Sequence, residues 1–215
     1  SQVTVYGRIV DQKSPIWAPV ENVQFPGEAP IPRYRVTIQV KVAKEEGKPD
    51  PSFQVFLELK HQKTFREGEE IILSIKPTRE CYLTVFNILS DHTVLILHPP
   101  KGHTQPVKGR RLTERSGQTF ELPSQAERQA GVHFRVGLLP GKTADTEGVL
   151  VVATRDDVPF LPRESKVFTP DIAMVSGKMV LPTYQTALEE FNRWLISIPL
   201  DKRTSDFQSY EIKKK

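Results

Sequence analysis

CYLTVFNILSDHTVLILHPP (residues 81–100) holds two apolar runs separated by the four residues SDHT. Cys81–Leu89 is apolar on both faces, which a strand tolerates only when it is covered on both sides. Val94–Leu97 resumes after a gap of ordinary hairpin length. Ser90, Asp91 and His92 are the three residue types of a hydrolase triad, but they are consecutive. Neighbouring turn residues point apart, whereas a triad needs a nucleophile held by a base that is itself held by a carboxylate. Asp in a turn has a simpler use, accepting hydrogen bonds from backbone amides. The stretch reads as a central hairpin of a sheet.

Working outward, FREGEEIILSIK (65–76) places a strand at 70–76, opened by Gly68 and ended by Pro77. TFEL (119–122), VHFRVGL (132–138) and VLVVAT (149–154) supply three more short strands. Ser124-Gln-Ala-Glu127 fits a capping box, so a helical turn is expected at 125–130, stopped by Gly131. Short strands at regular spacing, with Gly and Pro between them, point to an antiparallel β-sandwich, immunoglobulin-like or barrel-like. Eighteen prolines argue against a helical bundle.

Upstream, YRVTIQVKVA (34–43) alternates strictly, with Tyr34, Val36, Ile38, Val40 and Val42 on one face. SFQVFLELK (52–60) alternates again, so the two are expected to pair as a hairpin across the turn 45–51. VTVYGRIV (3–10) reads as a third strand. Three strands with one apolar face must cover something or be covered. Downstream, TYQTALEEFNRWLISI (183–198) carries an apolar stripe at three- and four-residue steps, with Thr183 as N-cap and Pro199 as stop. That predicts one C-terminal amphipathic helix docked on the sheet. The expected division is N-terminal strands at 1–60, a sandwich core at 61–162 and a C-terminal extension at 163–215.

Composition limits the function classes. The net charge of +4 over 215 residues is far from that of a nucleic-acid arm. The single cysteine, Cys81, forbids an intramolecular disulfide or a cysteine zinc site. No run of about eighteen apolar residues predicts a membrane span, and no signal-peptide pattern is seen. A start at Ser1 reads as a piece of something longer.

Residues 65–75, 80–99, Glu121-Leu-Pro and LVVATRDDVPF (150–160) resemble the bacterial domain of unknown function DUF4384, over about residues 64–162. That family shows an F-x-x-G-[DE] opening, a G-Y-L-Y-V-F-type strand, a D-G turn, an L-F-P-N strand end, then L-P and A-T-x-x-x-P. Two departures stand out: His92 where glycine is usual, and His98-Pro99-Pro100 where F-P-N is usual. The resemblance implies no established activity. It implies a bacterial envelope setting, periplasmic or outer-membrane associated, in lipoprotein-like chains or as an appendage to peptidases and kinases.

Candidate chemistry is sparse. GLLPGKT (137–143) leaves three residues where a phosphate loop needs four, and a strand follows it instead of a helix. His98 and His103 share a loop without a nearby carboxylate, and His61 and His133 stand alone, so no metal site is expected. Asp156-Asp157 lacks the spaced oxygen ligands of a calcium loop. No cofactor and no catalytic residue is expected. The one candidate contact is the connection 99–118, where Lys101, Lys108, Arg110, Arg111 and Arg115 face a single acid, Glu114. Arginine forks suit an anionic partner. The functional expectation is a non-catalytic envelope module for assembly or recognition. An accessory domain beside a peptidase or kinase is the alternative, and a cryptic hydrolase the third.

Overall fold

The structure, a computed structural model, describes residues 7–13, 15–27, 29–60, 62–99, 106–107, 119–160, 166–168 and 183–215. It separates into two units, residues 1–45 and 46–215. In the first, β1 (Gly7–Gln12), β2 (Ile16–Trp17) and β3 (Glu21–Val23) run out along one strand line. After a turn with Gly27 at φ 85°, β4 (Ile31–Arg33), β5 (Val36–Thr37) and β6 (Val40–Lys44) run back. The pairs β3–β4, β2–β5 and β1–β6 are all antiparallel, so residues 7–44 form one long interrupted hairpin.

This overturns the expected pairing of 34–43 with 52–60. Alternation predicts which face is apolar but not which strand lies alongside, and 40–44 pairs back onto 7–12. The apolar face is not turned inward either. Tyr34, Val36, Ile38, Val40 and Val42 are exposed, and ten of the twelve large apolar side chains exposed among the described residues lie between Ile16 and Val42.

The second unit contains β7 (Val55–Leu59), β8 (Thr64–Arg66), β9 (Leu73–Pro77), β10 (Cys81–Ile88), β11 (Thr93–His98), β12 (Pro106–Val107) and β13 (Phe120–Leu122). There follow helix α1 (Gln125–Gln129), β14 (Ala144–Thr154), β15 (Lys166–Phe168), β16 (Thr183–Ala187), helix α2 (Leu188–Ile196) and β17 (Arg203–Lys213). The large sheet runs β15-β16-β11-β10-β14-β17-β8, with β12 also on β10. Its pairings are antiparallel except β17 with β8. A second sheet, β13-β9-β7, is antiparallel throughout.

The central strand has the two covered faces its composition demands. Leu83 and Phe86 are both 0% exposed and point to opposite sides. Cys81, Leu83 and Val85 join Val149, Val151, Tyr210 and Ile212 against Val55, Leu57, Leu73, Ile75 and Leu122 of the second sheet. That is the interior of the sandwich. Burial pushes the Cys81 thiol up to about 12, so it behaves as a small apolar side chain. On the other face Phe86, Val94, Ile96 and Val152 pack against Phe160 and against Phe191 and Leu195 of α2. The result is three layers: small sheet, large sheet, helix. The described strands close no barrel.

Local predictions fare unevenly. The capping box forms, with the Ser124 hydroxyl accepting from Glu127 N–H (3.2 Å) and the Glu127 carboxylate from Ser124 N–H (2.6 Å). The C-terminal helix is shorter than 183–198. Residues 183–187 are a strand on the edge of β11, and helix begins at Leu188. Tyr184 and Ala187 fit a helical stripe by spacing, but the open edge of β11 takes up their backbone groups instead. Thr183 is therefore a strand residue and not an N-cap. Residues 132–138 make only a bridge, Glu70 to Arg135, flanked by the bonds Gly68 N–H to Val136 O and Ile71 N–H to Phe134 O. The contact is two-sided but too short to be a strand. No helix among the described residues is long and apolar enough to cross a membrane.

Candidate functional site

The turn between β10 and β11 sits over a group of hydrogen-bonded polar side chains drawn from three strands. Leu89 N–H bonds Thr93 O and His92 N–H bonds Leu89 O, closing the hairpin. Asp91 accepts from Thr93 N–H at 2.9 Å, the role a turn aspartate plays. His92 is exposed and adopts φ 67°. That left-handed backbone favours glycine, which explains physically why glycine is the usual residue at this place in the DUF4384 pattern.

Ser90 is engaged from another direction. Its hydroxyl donates to Asp145 at 2.7 Å and accepts from the Lys142 ammonium at 2.6 Å. Lys142 also reaches both Asp145 oxygens at 3.1 Å. Burial alone would raise the Asp145 pKa, but Ser90, Lys142 and the Thr146 amide outweigh it and hold it below the usual range. Lys142 donates both to the Ser90 hydroxyl and to the Asp145 carboxylate, so its role in this trio is that of a donor. The trio ties the β10–β11 turn to the start of β14. The P-loop-like stretch thereby finds its use: Pro140-Gly141 is a turn, with Gly141 at φ 84°, and it delivers Lys142 to Ser90.

One step deeper, Glu147 is buried beneath the turn. Its carboxylate accepts from Tyr210 OH at 2.7 Å and from Asn87 Nδ2 at 2.9 Å. Tyr210 OH also stands 3.0 Å from Asn87 Oδ1. Desolvation raises the Glu147 pKa above its ordinary value, Tyr210 and Asn87 oppose the shift, and the charges of Asp145 and Asp91 add to it. Burial likewise raises the Tyr210 phenol. Three strands, β10, β14 and β17, are joined through this one carboxylate. Sequence reasoning missed it. The available signal was a glutamate on the inward-facing phase of an apolar strand.

Elsewhere the fold pairs residues that the sequence leaves isolated. His133 Nδ1 lies 2.9 Å from Glu70, 63 residues away. His98 sits edge-on to Phe120 with centroids 5.2 Å apart, and desolvation holds its imidazole below the usual value. Asp156 pairs with Lys202 at 3.5 Å. Among the described residues no three His, Cys, Asp or Glu side chains converge as metal ligands would. His61, His103 and the basic residues Lys101, Lys108, Arg110, Arg111 and Arg115 lie outside the described residues.

Strands β8 to β14, with the capping box and the turn at His92, form the part of the chain that carries the DUF4384-like motifs. Residues 64–157 match the family model of the domain of unknown function DUF4384. No curated protein and no solved structure matches the chain. The DUF4384 segment thus contains both strands of the central hairpin and β14, but not β17, α2 or β7. Tyr210, the phenol that Glu147 accepts from, lies outside the matched residues, as does all of α2.

Proposed function

We propose that the chain is a non-catalytic β-sandwich module of a bacterial cell-envelope protein, serving assembly or recognition. The observation that carries this reading is the run of exposed apolar side chains from Ile16 to Val42. Exposed apolar surface of that extent, concentrated in one segment, marks an interaction site in soluble proteins. The polar cluster beneath the β10–β11 turn supports it from the other side. Ser90, Lys142, Asp145, Asn87, Glu147 and Tyr210 satisfy one another, and their bonds cross-brace three strands. The envelope setting rests on the DUF4384 resemblance. By charge alone, Lys101, Lys108, Arg110, Arg111 and Arg115 add a contact for an anionic envelope partner.

The test is a broad turnover screen on the purified chain with esterase, peptidase and phosphatase substrates. The expected result is hydrolysis at the background rate for every substrate. Saturable turnover that disappears in Ser90→Ala or Lys142→Ala would overturn the non-catalytic reading.

A further inference from the structure

Three observations converge on the hairpin of residues 7–44. The first is area. Its ten exposed apolar residues are 42–66% exposed. With aromatic side chains of roughly 150–250 Å² and smaller aliphatic ones, that leaves roughly 1,000 Å² of apolar residue surface in water, summed over the two faces of the ribbon. One partner's share of a standard protein interface is about 800 Å². The second is the backbone. Among the described residues each of the pairs β1–β6, β2–β5 and β3–β4 is two-stranded, so no described strand takes up the N–H and C=O groups of either outer edge. A two-stranded ribbon is marginal in water until something is added to it.

The third is charge. Residues 29–44 hold Arg33, Arg35, Lys41 and Lys44 and no acid, while the opposing line, 7–23, balances Arg8 and Lys13 against Asp11 and Glu21. We propose that this hairpin is a docking arm for a protein partner, which adds an extended strand of alternating apolar and acidic residues along the β4–β6 edge. This deepens the assembly reading above and rests on it. Main-chain bonds to the edge supply affinity, while alternate side chains read the sequence. Acidic residues on the added strand meet Arg33 and Lys41 and compete for Arg35 with the exposed Glu21, 3.9 Å away; its apolar residues cover Val36, Val40 and Val42.

Two other occupants fit less well. A second copy joined through the same edge sets four positive charges against four, a repulsive register. A bilayer wets one face of an interfacial element. Ile16 and Trp17 are adjacent on β2, face opposite ways, and are 62% and 66% exposed.

The experiment uses the full chain and three labelled octapeptides, read by fluorescence anisotropy: alternating Val-Glu, alternating Val-Lys, and a block peptide of four Val then four Glu. Vesicles of phosphatidylcholine with phosphatidylglycerol and sedimentation over a concentration series run beside them. The Val-Glu peptide should bind at least roughly tenfold more tightly than either other peptide, and weaken as salt rises toward roughly 0.5 M. The triple variant Arg33→Glu, Arg35→Glu, Lys41→Glu should reverse the preference toward Val-Lys with its melting temperature unchanged. That reversal cannot come from misfolding. Trp17→Ser should weaken Val-Glu binding several-fold.

Equal binding of Val-Glu and Val-Lys, or binding of neither, overturns the proposal. So does vesicle binding that is lost in Trp17→Ser but survives reversal of Lys108, Arg110 and Arg111, seen without peptide binding, which assigns the surface to lipid. Dimerisation abolished by Trp17→Ser assigns it to a second copy and overturns it too. These failures leave the non-catalytic reading standing, whereas turnover in the substrate screen would remove that reading and leave the peptide result untouched.

Discussion

Phe86→Ala tests the three-layer arrangement at its tightest point. Phe86 is fully buried on the helix side of β10, with ring centroids 4.9 Å from Phe191, 5.3 Å from Phe160 and 5.7 Å from Trp194, all edge-on. Truncating a buried Phe to Ala costs about 3–5 kcal/mol, and three lost edge contacts of roughly 0.5–1.5 kcal/mol each place this site at the top of that range. The expected loss is about 4–5 kcal/mol, a large part of the roughly 5–15 kcal/mol that holds a domain together. Urea unfolding followed by tryptophan fluorescence reads it well. The chain has two tryptophans; Trp17 is already exposed, so the change on unfolding reports on Trp194 against Phe86. With a slope of about 2 kcal/mol per molar urea, the midpoint should fall by about 2 M at unchanged slope. Leu83→Ala, on the opposite face of the same strand, should cost about 2–5 kcal/mol without the loss of ring contacts. A Phe86→Ala loss below about 1 kcal/mol would mean that α2 does not cover this face, and the layer assignment would fail.

Two further outcomes follow. Glu147 has a folded pKa raised above its ordinary 4.5, chiefly by desolvation, so the folded chain keeps this proton to higher pH than the unfolded chain. Its contribution to stability is fully present below about pH 4.5 and declines as pH rises through the folded value. Glu147→Gln removes that dependence, so melting temperatures from pH 4 to 8 should show the variant gaining on the wild type as pH rises; parallel curves would refute the shift. Reversing Lys108, Arg110 and Arg111 to Glu should leave the melting temperature nearly unchanged and abolish retention on anionic liposomes; equal retention at low salt leaves the segment without a binding role.

What was legible in the sequence is what local pattern decides. Cys81–Ile88 is apolar in both phases, and it lies between two layers. Ser124 and Glu127 satisfy each other within one turn, and the capping box forms. What was not legible depends on partners distant in sequence. The alternation at 34–43 is the same whether its face is buried or wet, and only the pairing of β6 with β1 reveals that it is wet. The stripe from Tyr184 to Ile198 is helical by spacing throughout, yet the edge of β11 claims its first residues. Glu147 looks like a polar misfit within VLVVAT-type sequence until Asn87 and Tyr210 are placed beside it. Ser90 read correctly as a turn residue, but its bonds to Lys142 and Asp145 come from more than fifty residues away.

The Asn87–Glu147–Tyr210 bridge also bears on how the domain assembles. Asn87 and Glu147 are 60 residues apart, and Tyr210 lies 63 residues beyond Glu147. No two of the three strands they join can meet through local chain closure, so the transition state must close long loops before any contact offsets their entropy. Folding on the millisecond-to-second scale of sheet proteins is the consequence. Until β17 arrives, β14 exposes an open edge that includes Val149-Leu150-Val151-Val152, a β-prone run with no charge. A chain cut to the matched residues 64–157 would hold that edge open permanently. The unit that folds is therefore longer than the unit that the family pattern defines.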